Sequence, residues 1–267
     1  MTADLKSVAR GLRESLRSGA RNPLGKFSSK KLGTDPTQIR FTEDLSRFVE
    51  AGGSVTNVWP ITSDFDGNAS GVLPGHYFNQ DLHVASLISK STPRRHIDVG
   101  SSFAGFVAHV ASFREIEVLD IRPMDALDHP QISFLQKDLA VPDPNFRGIT
   151  DSLSCLHTIE HFGLGRYGDS IDPDGHLKGF QNLVDLLEPG GTLYISFPIG
   201  KEDAVHFNAH RVFHPLSILD WPLSDGHLEL KEFSYEDNAQ RFHRDVPLGE
   251  FVPNVEYGCG IYTFQKS

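Results

Sequence analysis

From about residue 76 onward, short apolar runs of strand character alternate with segments of helical period, and this alternation leaves the chain few folds to choose from. QDLHVASLISK at 80–90 reads as a helix, HIDVG at 96–100 as a strand ending in glycine, and FAGFVAHVASF at 103–113 as the helix that follows. IEVLD at 116–120, ISFLQKDL at 132–139 and SLSCLHTI at 152–159 read as further strands. HLKGFQNLVDLL at 176–187 is an amphipathic helix, stopped by Pro189, Gly190 and Gly191 before a strand over 192–199. LELKEFSYED at 228–237 and CGIYTFQKS at 259–267 supply two more. The pattern predicts an α/β fold built on a mostly parallel sheet.

Charge divides the chain unevenly. Residues 1–40 hold nine Lys or Arg against three acids, a net of +6, and the remainder is left at −16. A body this acidic is a poor binder of phosphate backbones, so nucleic acid is not an expected partner. Leu5, Val8, Leu12 and Leu16 recur at helical spacing among Lys6, Arg10, Arg13 and Arg17. Residues 3–18 therefore read as a basic amphipathic helix, packed on its own domain, on a twin subunit, or on an anionic membrane surface through residues 1–20. Residues 18–36, rich in Gly, Ser, Pro and Lys, read as a linker. The organisation expected is a basic helical extension and linker over 1–50 and a main domain over 51–267, with a lid segment at 65–90. Cys155 and Cys259 are too few for a disulfide framework, and no run of about 18–20 apolar residues exists to span a bilayer. A reducing, cytoplasmic setting is the expectation.

DVGSSFAGF at 98–106 carries the first chemical signal. A strand that ends in Gly100 and turns directly into a helix lets a ligand approach bare backbone, with unsatisfied N–H groups facing its polar parts. Asp120 closes the next strand, 20 residues after Gly100, where a carboxylate can accept from two ribose hydroxyls. A nucleoside-bearing cofactor is implied, although of a full GxGxxG the stretch keeps only Gly100 and Gly105.

DVGSSFAG, VLD at 118–120, QKDL at 136–139, LSCLHTIEHF at 153–162 and LLEPGGTLYISFP at 186–198 occur in the order found in class I S-adenosylmethionine-dependent methyltransferases, which the chain resembles over roughly residues 94–200. GHYFNQDL at 75–82 and EHFGLGRYGDSIDPDGHLKGF at 160–180 look most like a branch associated with glycan modification. The resemblance implies a Rossmann-like, seven-stranded, mostly parallel sheet with helices on both faces. It also implies S-adenosylmethionine as cofactor. Asp98, Gly100, Ser101 and Ser102 would line its methionine and ribose side, Asp120 would hold the diol, Ile121 would flank adenine, and Asp138 with the Leu139 backbone would meet the adenine amine. Leu156 and His157 would lie beneath the transferable methyl. Ser102 and Ala104 stand where the family often has glycine.

A sugar hydroxyl is a weak nucleophile at neutral pH, so a base or a metal must assist it. His157, Glu160 and His161 follow the fourth strand, and VHFNAHRVFHP places His206, His210 and His214 at a spacing of four after the fifth. Two His-rich loops meeting over the acceptor site could hold a divalent ion through His157, Glu160, His161, His206 and His210. Alternatively, His161 or His210 serves as a metal-free general base, with His157 as a further catalytic candidate, or the histidines are structural. HTIEH also matches the HxxEH metallopeptidase pattern letter for letter, but that pattern needs a helix where a strand is expected.

Tyr77, Phe78 and Gln80 are candidate lid contacts. The polar loop GLGRYGDSIDPDG at 163–175 reads as a substrate loop in which Arg166 meets an anionic group, with Asp169 and Asn208 as further substrate candidates. The expected activity is O-methylation of a sugar or glycan hydroxyl by a monomer or homo-oligomer. The alternative expectation is a methyltransferase-like module that binds without turnover.

Overall fold

The computed structural model describes residues 36–56, 75–124, 127–224, 227–249 and 254–267. The basic helix over 3–18, the linker up to residue 35 and the lid residues 65–74 lie outside that set. The chain divides into two compact units, residues 1–72 and 73–267. In the first, α1 (Pro36–Glu50) is an amphipathic helix laced by Arg47 with Glu43 and Asp44 one turn earlier.

The second unit opens with α2 (His76–Ser91), followed by β1 (His96–Val99), a π-helical turn (Phe103–Val107) running into the short α3 (Ala108–Ala111), β2 (Ile116–Asp120) and β3 (Ile132–Gln136). Then come β4 (Thr150–Leu156), a 3-10 turn (Ile159–His161), α4 (Gly175–Leu186) and β5 (Leu187–Ile199). The hairpin β6 (Ala204–His206) and β7 (His210–Val212) precedes β8 (Leu228–Glu236), β9 (Phe242–His243) and β10 (Gly258–Lys266).

Among the described residues, eight strands form one sheet in the order β3-β2-β1-β4-β5-β10-β8-β9. β3, β2, β1, β4 and β5 run parallel, and β10, β8 and β9 pair antiparallel. The mostly parallel, Rossmann-like sheet is thus present, with eight strands rather than seven because the two-residue β9 extends the β8 edge. β1, buried at every position, is the apolar run expected of a strand covered on both faces. One core lies on the α4 side, around Phe180, Leu183, Phe197 and Tyr262. The other lies under α2 and α3, around Ile88, Phe106, Val110 and Tyr194.

Two local expectations change. Pro189, Gly190 and Gly191 do not stop α4, since the helix ends at Leu186 and the chain enters β5 at once, with Leu187 already extended. Gly190 (φ +80°) instead sits in an irregularity where Thr150 and Ser152 of β4 face Leu187 and Thr192 of β5. Likewise, the four-residue spacing of His206 and His210 marks a hairpin, in which the two are direct cross-strand partners, and not a helical turn.

Candidate active site

The carboxyl ends of β1, β4 and β5 open into a crevice of about 1040 Å³, lined by the start of α2, the turn after β1 and the loop after β4. A smaller slot of about 70 Å³ adjoins it between the ends of β2 and β3, and Gly100, Arg122, His157, His161 and Tyr167 border both. A crevice outside the carboxyl ends of the strands, where neighbouring crossovers diverge, is where open α/β sheets bind ligands.

The turn after β1 is built from within. Asp98 is fully buried and accepts from the Ser101 amide (3.0 Å), the Ser101 hydroxyl (2.8 Å) and the Ser154 hydroxyl (2.5 Å). It therefore props the turn and lies off the crevice wall, and Ser101 points its hydroxyl inward. Burial pushes the Asp98 carboxyl up to about 6 against those three donors. Gly100 (φ +73°) is required by its backbone and by Thr158, whose Cγ2 would lie 2.5 Å from an added Cβ. Ser102 lies on the crevice wall. So does Asp81 of α2, a buried acid whose carboxyl is raised, chiefly by desolvation. Asp81 sits within GHYFNQDL, but the sequence alone does not mark it among the lid contacts there.

Asp120, Ile121, Asp138 and Leu139 line the slot. Asp120 is held by Arg122, whose Nε lies 2.9 Å from Oδ1 and whose terminal nitrogen lies 2.5 Å from Oδ2. Asp138 accepts from the Ala140 amide through Oδ1.

After β4 the chain kinks at His157, which takes the left-handed region (φ +49°), uncommon for a residue with a side chain. His157 Nδ1 lies 3.0 Å from Oε1 of Glu160, while its Nε2 and Glu160 Oε2 are both buried with no hydrogen-bond partner. Burial disfavours a proton on His157, but Cys259 and Glu160 outweigh it and raise its pKa. Only three residues of 3-10 turn follow, so HTIEH never forms the helix that a metallopeptidase requires. His161 Nδ1 donates to the Ala209 carbonyl at 2.8 Å, and Arg166 donates to the same oxygen at 2.8 Å. Because a carbonyl only accepts, the neutral His161 ring carries its proton on Nδ1 and its lone pair on Nε2. Burial lowers its pKa, with Glu160 opposing.

The β6–β7 hairpin thus docks on the loop after β4. His210 lines the crevice, with its ring 6.5 Å from that of His161 and its pKa lowered by burial and by His206. His206 is exposed and stacks on His210 at 5.3 Å, and neither it nor Asn208 reaches the crevice wall. His214 sits apart, its amide bound to Asp203. The five-residue metal set is consequently not assembled. Among the described residues, the group whose ligand atoms all lie within 4.8 Å of one another is His76, His157 and Cys259.

Of the substrate candidates, Tyr77, Phe78 and Arg166 line the crevice, and Gln80 does so while buried, accepting from the Ser196 hydroxyl at 2.6 Å. Asp169 spends its carboxylate on the amides of Gly163, Gly165 and Tyr167 and so shapes the loop. Arg211, unmarked by any motif, is buried and donates to the carbonyls of Phe162 (2.6 Å), Pro173 (3.1 Å) and Glu160 (3.3 Å). It ties the whole loop after β4 to the hairpin.

A family model described as "Caenorhabditis protein of unknown function, DUF268" matches residues 107–240, just over half the chain. No curated protein matches the sequence. Similar solved structures include the [4+2]-cyclase SpnF, at 12% identity and a TM-score of 0.48 over 75% of this chain and 90% of that one. A TehB-like SAM-dependent methyltransferase from Corynebacterium glutamicum is 15% identical, with a TM-score of 0.47 over 86% of this chain and 97% of its own. The N-methyltransferase NodS from Bradyrhizobium japonicum, solved with S-adenosyl-L-homocysteine, is 14% identical, with a TM-score of 0.43 over 96% and 98%.

Proposed function

Because the chain belongs to the family described as Caenorhabditis protein of unknown function, DUF268, which carries no assigned chemistry, we propose a function from the crevice itself: S-adenosylmethionine-dependent methylation of a hydroxyl on a sugar or glycan acceptor. The observation that carries it is the adjacency of two unlike sites. A slot lined by Asp120, whose carboxylate Arg122 holds, opens beside a crevice in which His161 presents an unprotonated Nε2.

The cofactor, when bound, supplies an electrophilic methyl carbon. Asp120, Ile121 and Leu139 would hold its nucleoside end and Asp81 its ammonium. His161 takes the proton of the acceptor hydroxyl on Nε2, and the Ala209 carbonyl steadies the imidazolium that results through Nδ1. Arg166 and Tyr77, exposed at the rim, meet the acceptor. An aromatic face beside a guanidinium suits a sugar ring carrying an anionic group.

A second reading, a module that binds without turnover, draws on the Arg122 side chain spread over Asp120, which narrows the slot. Calorimetry with S-adenosylmethionine and its demethylated product, run beside methyl transfer to a panel of glycan acceptors, separates the two. His161→Gln should abolish transfer and leave cofactor affinity within about twofold. Affinity without product from any acceptor favours the module, and no affinity for either ligand removes both readings.

A further inference from the structure

Three elements remote in sequence converge on the floor of the crevice beside β5. His76 begins α2, His157 follows β4, and Cys259 lies on β10 opposite Pro198 of β5. The His76 and His157 rings stack at 5.9 Å and 14°, and one ligand atom from each of the three residues lies within 4.8 Å of the others. Among the described residues their hydrogen bonding is sparse: His157 Nε2 is buried with no hydrogen-bond partner, and the fully buried Cys259 thiol meets only long contacts, to Gln80 Oε1 at 3.5 Å and the Gly260 carbonyl at 3.8 Å.

We propose that His76, His157 and Cys259 bind a divalent transition-metal ion, zinc best of all, with the fourth coordination position open to the crevice. Two imidazoles and a thiolate are a donor set suited to zinc, and hard cations such as magnesium or calcium have no oxygen ligand here. His157 is held as a metal-ligating histidine usually is, because Glu160 takes the Nδ1 side at 3.0 Å and leaves Nε2 for the ion. Tetrahedral bonds of about 2.0–2.3 Å set donors roughly 3.4–3.8 Å apart, so the three need close by only about an ångström. His76 and His157 line the crevice whereas Cys259 lies behind them, and the side of the ion away from the thiolate would face bound ligand. Three protein donors and one open position form the arrangement of catalytic rather than structural zinc. On binding, the thiol proton and any proton on Nε2 pass to solvent, leaving thiolate and neutral imidazole on the ion. This site rests on its own three residues and stands apart from the methyl-donor reading.

The probe is cobalt(II), titrated into the full-length, metal-stripped protein and followed by absorption. One equivalent should bind with a thiolate-to-cobalt charge-transfer band and the visible bands of a four-coordinate ion, and zinc should displace it. Cys259→Ser should erase the charge-transfer band, and His76→Ala should weaken binding on the order of tenfold or more, with circular dichroism verifying the fold of each variant. His206→Ala, which alters only an exposed ring, should leave both unchanged. Absence of stoichiometric binding, a band that survives Cys259→Ser, or loss on His206→Ala but not on His76→Ala overturns the site. Should Cys259→Ser not fold, the wild-type charge-transfer band and the His76→Ala affinity decide it.

Discussion

Arg122 grips Asp120 from two residues away, with its amide 2.8 Å and its Nε 2.9 Å from Oδ1 and a terminal nitrogen 2.5 Å from Oδ2. The guanidinium is half exposed, and it also lies over the Tyr167 ring at 4.8 Å. It therefore occupies the acceptor lone pairs that a ribose diol would need.

Removing that competitor should tighten nucleoside binding. With Asp120 buried and the Arg122 end half in solvent, the pair is worth about 1 kcal/mol, so Arg122→Ala should strengthen S-adenosylhomocysteine binding by up to about fivefold, and Asp120→Ala should weaken it by more than tenfold. Isothermal titration reads both, and weaker binding in Arg122→Ala would recast the arginine as a cofactor ligand.

As the proposed general base, His161 should set the acid limb of the rate profile. Its pKa lies below the ordinary 6.5 because burial disfavours the imidazolium. The base is therefore mostly unprotonated at neutral pH, and the acid limb of kcat/KM should be centred below pH 6.5. A limb centred above 6.5 would point to His157, whose pKa is raised, as the base.

Stability should depend on pH through two buried groups that oppose each other. Asp98 goes from an ordinary 3.8 up to about 6, so the folded state holds the extra proton and stability falls as pH rises between about 4 and 6. His96, hydrogen-bonded to Ser152 and Ser154, is lowered by burial to about 3. The unfolded state then holds the extra proton, and stability rises over the same interval. Asp98→Asn removes the first effect and leaves the second, so urea midpoints of the variant should climb more steeply than wild type from pH 4 to 6. Parallel curves would show that Asp98 does not titrate there.

Arg211 organises the loop on which His161 depends. Arg211→Leu leaves the buried Glu160 carbonyl and the part-buried carbonyls of Phe162 and Pro173 without their donor, at about 1–3 kcal/mol for each group that water cannot reach. The expected result is a loss of roughly 2–4 kcal/mol in urea unfolding, with methyl transfer reduced and cofactor affinity retained. Equal loss of cofactor affinity would mean that the slot, too, hangs on this arginine.

The layered architecture was legible from residues near in sequence. Apolar period and turn chemistry are local, so β1, β2, α2 and α4 emerge where HIDV, IEVLD, HVASLIS and FQNLVDLL indicate, and Gly100 ends a strand as its type suggests. Local signals also misled where a residue type serves two purposes. Glycines 190 and 191 read as a helix stop yet form an irregular stretch of strand, and His206 and His210 share a helical spacing that an antiparallel hairpin satisfies equally well.

What folding alone decided is which side chains meet. Asp98 and Asp120 are both acids on neighbouring strands, but the first turns inward onto Ser101 and, across to β4, Ser154, while the second meets Arg122 two residues on. His76, His157 and Cys259 are brought together by α2, β4 and β10, and Arg211 finds its carbonyls only once the hairpin docks. Pattern along a chain records which face each residue takes. Contacts between distant elements depend on sheet order and register, which a single sequence does not display.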